Sequence, residues 1–159
     1  IGKAHGTIFV HFATRDALVI EIVKAIGSSL TDHLARMSSD SFGLGQFLDA
    51  HLAVLREAEE LHSALLQEMS SLPASARAYV MAMQSGVSAR LGRALQIDID
   101  KELARPFDKV ALANVWIALT NHYLLNRDLF APGESVIVRH GTTLKSQLLA
   151  IVAKEPVHV

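Results

Sequence analysis

The feature that most constrains this chain is the repeat of apolar residues at helical spacing along nearly its whole length. The first stripe runs from Leu18 to Leu34 with an apolar residue at every fourth position, and Thr14 stands where a helix N-cap is favoured. Further helical stripes are predicted over 44–55, 61–72, 76–95, 107–130 and 137–151. Because no segment alternates polar and apolar residues as a half-buried strand does, the sequence predicts an all-α fold.

Loops are predicted where these stripes stop. Residues 37–43 are rich in serine and glycine, residues 96–106 break the apolar pattern, and residues 131–134 contain proline and glycine. The acidic segment 98–102 lacks the glycine and the final glutamate of a helix–loop–helix calcium site. We therefore interpret it as an acidic loop between two helices.

Composition excludes several classes of protein. The chain of 159 residues contains no cysteine, which excludes a disulfide framework, a thiolate zinc site and a cysteine nucleophile. The net charge is -1, so any contact with nucleic acid has to be local. No apolar run reaches the roughly 20 residues that span a bilayer, and no signal peptide is visible. We expect a cytoplasmic protein that does not bind a membrane.

The opening stretch GKAHGTIFVHFATRDAL, residues 2–18, carries a specific pattern. Two glycines lie four positions apart, and the second is followed by Thr, an apolar residue, an aromatic residue, a variable residue and His-Phe. A short turn and Ala-Leu complete the pattern. It resembles the end of the DNA-binding domain of tetracycline-repressor (TetR) family regulators. Phe9 departs from the tyrosine frequent in that family, and His5 stands where lysine is common.

The resemblance implies that residues 1–36 are the last part of a helix-turn-helix DNA-binding domain whose first helices precede this chain. It implies a helical ligand-binding and dimerisation domain over residues 37–159. It also makes five residues candidates for contact with the major groove or the phosphates of operator DNA. These candidates are Lys3, His5, Thr7, Val10 and His11, of which His11 resembles a residue that often approaches a phosphate.

The larger part of the chain carries single polar groups on otherwise apolar helix faces. Pockets for small molecules are mostly apolar with a few convergent polar groups, and methionine adapts to varied ligands. We therefore expect a cavity for a small, mainly apolar effector that is uncharged or weakly anionic, although the same stripes are also typical of a plain core. The candidate ligand-binding residues are Phe47, His51, Met69, Met83, Trp116, His122 and Tyr123.

The helix predicted over 107–130 is apolar on two faces. A helix that is apolar nearly all round has to be buried on both sides, and one chain of this size offers a single core. We therefore expect this helix and the helix over 137–151 to form a four-helix interface in a homodimer. The candidate interface residues are Leu112, Val115, Leu119, Leu144, Leu148 and Ile151. A central helix in a monomer is the alternative interpretation.

The resemblance implies a ligand-responsive transcriptional regulator, a repressor that an effector releases from a palindromic operator. The alternative is a helical ligand-binding or interaction domain that does not bind DNA. A helical enzyme could use His51 or His122 as an acid–base group, but the sequence has no Ser/His/Asp constellation and no phosphate-binding glycine loop. Imidazoles and carboxylates also suit divalent metals, but no two histidines lie four residues apart. We expect no enzymatic activity, no cofactor and no bound metal.

Overall fold

The computed structural model describes residues 14–37 and 41–154, and within these ranges its regular elements are all helices. The helices are α1 (Arg15–Met37), α2 (Leu44–Glu57), α3 (Glu59–Gln67), α4 (Ala74–Asp100), α5 (Lys109–Leu125), α6 (Arg127–Phe130) and α7 (Val136–Val152). The predicted all-α fold class is confirmed. None of the described helices is long and apolar enough to cross a membrane. The division into parts 1–36 and 37–159 stays a prediction.

Helix starts are set by side chains that accept hydrogen bonds from the first free N–H groups. The hydroxyl Oγ1 of Thr14 accepts from the Ala17 N–H at 3.1 Å, which confirms the predicted N-cap of α1. The carboxylate of Asp108 accepts from the Ala111 N–H at 2.7 Å and begins α5 in the same way. Such bonds satisfy N–H groups that have no partner within their own helix.

The acidic segment predicted as a loop is partly helical, and this prediction was wrong. Helix α4 continues through 96–100 and ends at Asp100. The reason is tertiary, because Asp98 Oδ2 accepts a hydrogen bond from the Leu44 N–H at 2.9 Å and caps α2 from outside. Gly43 permits this approach, since a Cβ at that position would collide with the Asp98 carboxylate.

Two predicted helices are shorter in the structure. The stripe over 61–72 corresponds to α3, which ends at Gln67. The stripe over 107–130 is divided at Asn126 into α5 and the short α6. The Asn126 side chain donates a hydrogen bond to the His122 carbonyl at 2.8 Å, so it satisfies a carbonyl of the last turn of α5.

The core is built around α5, which packs against α3, α4, α6 and α7. Helix α2 packs against α1, α4 and α7 on the other side of the core. The largest fully buried side chains include Trp116, Leu44, Leu48, Leu91, Leu95, Leu112, Leu124, Leu144 and Leu148. A second, smaller cluster lies beside the first half of α1 and contains Val23, Leu65, Leu72, Ala76 and Val80. Helix α1 therefore lies against α4 and α2.

Glu59 is a buried carboxylate at the start of α3 that reaches the start of α7. Its Oε1 accepts from the Val136 N–H at 2.9 Å. Its Oε2 accepts from the Ile137 N–H at 3.3 Å and from the Ser135 hydroxyl. One side chain thus satisfies three donors at the positive end of the α7 dipole and ties two helices together.

We expect Glu59→Ala to lower the free energy of unfolding by about 2–3 kcal/mol, because it leaves capping donors without an acceptor. The measurement is urea denaturation followed by circular dichroism. The control is Glu60→Ala, since the Glu60 side chain is 89% exposed and lies 3.6 Å from the Arg127 guanidinium. Exposed ion pairs contribute less than about 1 kcal/mol. Equal losses in both variants would contradict the capping role of Glu59.

Candidate ligand-binding site

A cavity of about 410 Å³ lies between α1 and α4, with side chains of α2, α3 and α5 completing its wall. This volume falls in the range of pockets that hold small molecules. Its apolar wall consists of Leu30, Leu34, Val54, Leu55, Val80, Met83, Val87 and Ile117.

The cavity opens to solvent between α1 and α4. Several residues of its rim are exposed: Ser28, Thr31 and Asp32 on α1, and Tyr79, Ala82 and Gly86 on α4. The Met83 side chain of α4 reaches across to Gly27 of α1, where a Cβ would collide with it.

His51 on α2 is a buried polar residue of the cavity wall, and 8% of its surface is exposed. Among the polar residues of the wall, only Thr120 is more buried. Its ring Nδ1 accepts a hydrogen bond from Nε1 of the buried Trp116 at 3.0 Å. The Phe47 ring stacks on it, with centroids 6.1 Å apart and planes at 11°. These contacts hold the imidazole in one orientation.

Burial disfavours the charged form of both histidines of the wall. Burial lowers the pKa of His51 to about 3, and the charge of nearby His62 acts in the same direction. Burial also lowers the pKa of His62, while a hydrogen bond with Asn121 raises it. His62 Nδ1 is buried and has no hydrogen-bond partner among the described residues. Burial thus opposes protonation of both imidazoles.

The structure brings two of the seven predicted ligand-binding residues to the cavity wall, His51 and Met83. Phe47 and Trp116 do not line the cavity and instead contact His51 from behind. Their role in a site is therefore indirect, because they position a side chain that does line it.

The other three predicted residues do not line this cavity, and their role in ligand binding stays a prediction. Met69 packs against the smaller apolar cluster. His122 and Tyr123 form an aromatic cluster with Phe130, in which the Tyr123 and Phe130 rings stack with centroids 4.4 Å apart. Each helical residue is rotated by about 100° from the one before, so Asn121 lines the cavity whereas the two residues after it do not.

Sequence reasoning missed several polar residues of the wall: His62, Arg90, Thr120 and Asn121. The sequence signal that could have identified these residues is a polar residue next to the apolar stripe of a helix. In α3 this signal was hidden, because Glu59 and Ser63 are buried while Leu61 is 47% exposed. The Ser63 hydroxyl donates to the Leu124 carbonyl at 2.8 Å, which explains how a polar face can be turned inward.

The predicted dimer-interface residues stay a prediction, and they differ in how exposed they are in the single chain. Leu112, Leu144 and Leu148 are fully buried in the core of the single chain. Leu119 and Ile151 are partly buried and pack against the same core. Val115 is the one exposed residue among the six candidates, at 41% exposure. Other residues of α5 and α7 would have to form most of an interface.

The residues described by the structure contain no group of three or more histidine, aspartate or glutamate side chains placed to hold a metal ion. Candidate DNA contacts at Lys3, His5, Thr7, Val10 and His11 lie outside the described residues.

Comparison with known proteins supports the fold. The sequence matches no protein-family model, and no curated protein matches it significantly by sequence. Among solved structures, the chain is similar to the crystal structure of a TetR family transcriptional regulator, PfmR from Thermus thermophilus. The TM-score is 0.73 at 16% sequence identity, and the similarity covers 98% of this chain and 85% of that one. The chain has a TetR-like fold.

Protein stability is expected to fall as the pH drops below about 6.5, the ordinary pKa of histidine. In the unfolded chain His51 binds a proton near that pH, but in the folded chain its pKa is about 3. The contribution of neutral, buried His51 to the free energy of unfolding is thus complete above pH 6.5. It is lost as the pH falls toward 3, and the loss reaches about 2 kcal/mol at pH 5.

The measurement is urea denaturation at pH 7 and pH 5. We expect His51→Gln, which retains an acceptor for the Trp116 N–H, to lose about 2 kcal/mol less than the wild type between these pH values. His122→Gln is the control, because His122 is exposed. An unchanged pH dependence in His51→Gln would contradict the assignment.

Proposed function

We propose that the protein is a ligand-responsive, DNA-binding transcriptional regulator. In this proposal it acts in the cytoplasm as a repressor, and a small, mainly apolar effector releases it from a palindromic operator. The TetR-like fold and the TetR-like sequence pattern over residues 2–18 both support this function.

The observation that carries the proposal is the position of α1. This helix begins at Arg15, within the sequence pattern that resembles the end of a DNA-binding domain. The same helix supplies Gly27, Leu30 and Leu34 to the cavity wall. A ligand that prefers one separation of α1 from α4 would therefore also favour one placement of the preceding DNA-binding residues. A coupling free energy of about 1–3 kcal/mol is typical of such a mechanism.

The DNA-binding part of the proposal is tested with the complete protein as its gene encodes it, including any segment before Ile1. We expect it to select palindromic fragments from a genomic library, with reading helices about 34–36 Å apart or more. His11→Ala should weaken binding about equally for all sequences, as loss of a phosphate contact does. Lys101→Ala, an exposed residue after α4, serves as the control.

Failure to select any fragment would favour the alternative function, a ligand-binding helical domain that does not bind DNA. The cavity would serve both functions, so ligand binding alone does not separate them.

We further propose a homodimer formed by the outer faces of α5 and α7, which pack against each other within the chain. Val115, Ala118 and Leu125 lie at helical spacing along the exposed face of α5. On α7, Val138 is 64% exposed. The apolar character of this surface supports burial against a second copy, since isologous contact would cover the same residues in both chains.

We expect Val115→Glu to produce monomers, because it places an unpaired charge in an apolar interface. Met81→Glu is the matched control, since Met81 is an exposed apolar residue on α4, outside the proposed surface. The measurement is sedimentation velocity at micromolar protein concentration. A monomeric wild type under these conditions would remove the dimer proposal.

A further inference from the structure

The inner end of the cavity holds a hydrogen-bond donor whose tautomer is determined by its neighbour. An indole N–H can only donate, so Nδ1 of His51 has to accept from Trp116 and cannot carry a proton. In a neutral imidazole the proton then resides on Nε2. Trp116 thus makes His51 Nε2–H a donor.

This donor has no acceptor among the described side chains and backbone groups. None of the described residues accepts a hydrogen bond from His51 Nε2, although the residue lines the cavity. Nε2 is also not among the polar atoms that are closed off from solvent without a partner, unlike His62 Nδ1. The donor is therefore accessible to a small molecule in the cavity, and the ring is held in place by Phe47 and Trp116.

Most residues of the cavity wall are uncharged. Val54, Leu55 and Ile117 are among its apolar residues. The Thr120 hydroxyl already donates to the Trp116 carbonyl at 2.9 Å. The charged residues of the wall are Asp32, which is exposed, and Arg90 on α4, which is half-buried.

We propose that the cavity selects an uncharged ligand that places a carbonyl-type oxygen on His51 Nε2–H and its apolar body between α1 and α4. This rests on the proposed sensor function and specifies the chemistry of its effector. A carboxylate at the same position would lose its hydration and receive a single neutral donor, which is unfavourable. A hydrocarbon without an acceptor would leave the Nε2–H unpaired in a dry site.

The test compares three compounds of nearly equal shape: 2-acetylnaphthalene, 2-isopropenylnaphthalene and 2-naphthoate. They carry a ketone, an alkene and a carboxylate at the same position. Dissociation constants are measured by calorimetry on the complete protein at pH 7.5, without DNA. We expect the ketone to bind about three- to tenfold more tightly than the alkene, as one net hydrogen bond provides, and the carboxylate to bind most weakly.

Variants then assign the preference to His51. His51→Gln supplies both an acceptor for Trp116 and an amide donor, so the ketone preference should persist. In the double variant His51→Phe/Trp116→Phe, which leaves no indole N–H unpaired, ketone and alkene should bind equally. A ketone preference that survives in the double variant would overturn the proposal.

Trp116 is a positioning residue, and its effect is read from the nitrogen NMR spectrum of the His51 imidazole. The wild type should show a single tautomer with the proton on Nε2, and the Nε2–H resonance should shift when the ketone is added. In Trp116→Phe the tautomer should no longer be unique. A wild-type ring protonated on Nδ1 would overturn the proposal without any variant.

The outcomes separate this inference from the proposed function. Equal binding of all three compounds, or tightest binding of 2-naphthoate, overturns the assigned ligand chemistry and leaves a ligand-binding regulator intact. Absence of binding by all three contradicts both the ligand chemistry and an apolar-effector site. Failure to select operator DNA, together with a ketone preference, contradicts the regulator alone.

Discussion

The hydrogen bond between the buried Trp116 and His51 is the interaction on which the arrangement of the core and cavity depends. Trp116 is fully buried at the centre of α5, and an indole N–H buried without an acceptor is costly. His51 supplies that acceptor from α2. The bond thus joins α2 to α5 beneath the cavity, and it leaves the remaining imidazole N–H as the donor of the inner wall.

Other buried or partly buried polar groups follow the same principle, because they satisfy backbone groups at helix ends across the fold. Glu59 at the start of α3 caps α7, and Asp98 in the last turns of α4 caps α2. Helix ends carry backbone groups without intrahelical partners, so a carboxylate from another helix can satisfy them and set the distance between the two helices. The two caps place α7 relative to α3 and α2 relative to α4.

Much of the fold could be predicted from local patterns, whereas the site could be predicted only in part. The apolar stripes predicted the main helices, and Thr14 marked the start of α1, because propensity, capping and periodicity act within a few residues. His51 was identified because a polar residue on an apolar stripe is conspicuous. His62 was missed because the buried face of α3 is defined by Glu59 and Ser63, whose partners lie 61 to 78 residues away along the chain.

The sequence by itself determined that the chain is helical, where most helices begin, and that its opening stretch resembles the end of a DNA-binding domain. The tertiary structure decided which face of each helix is buried, as the fully buried Leu112 and Leu148 and the exposed Val115 demonstrate. It also decided which polar residues meet at the cavity. The physical reason is that helix formation depends on residues within a few turns, whereas burial and hydrogen-bond satisfaction depend on partners that only packing brings together.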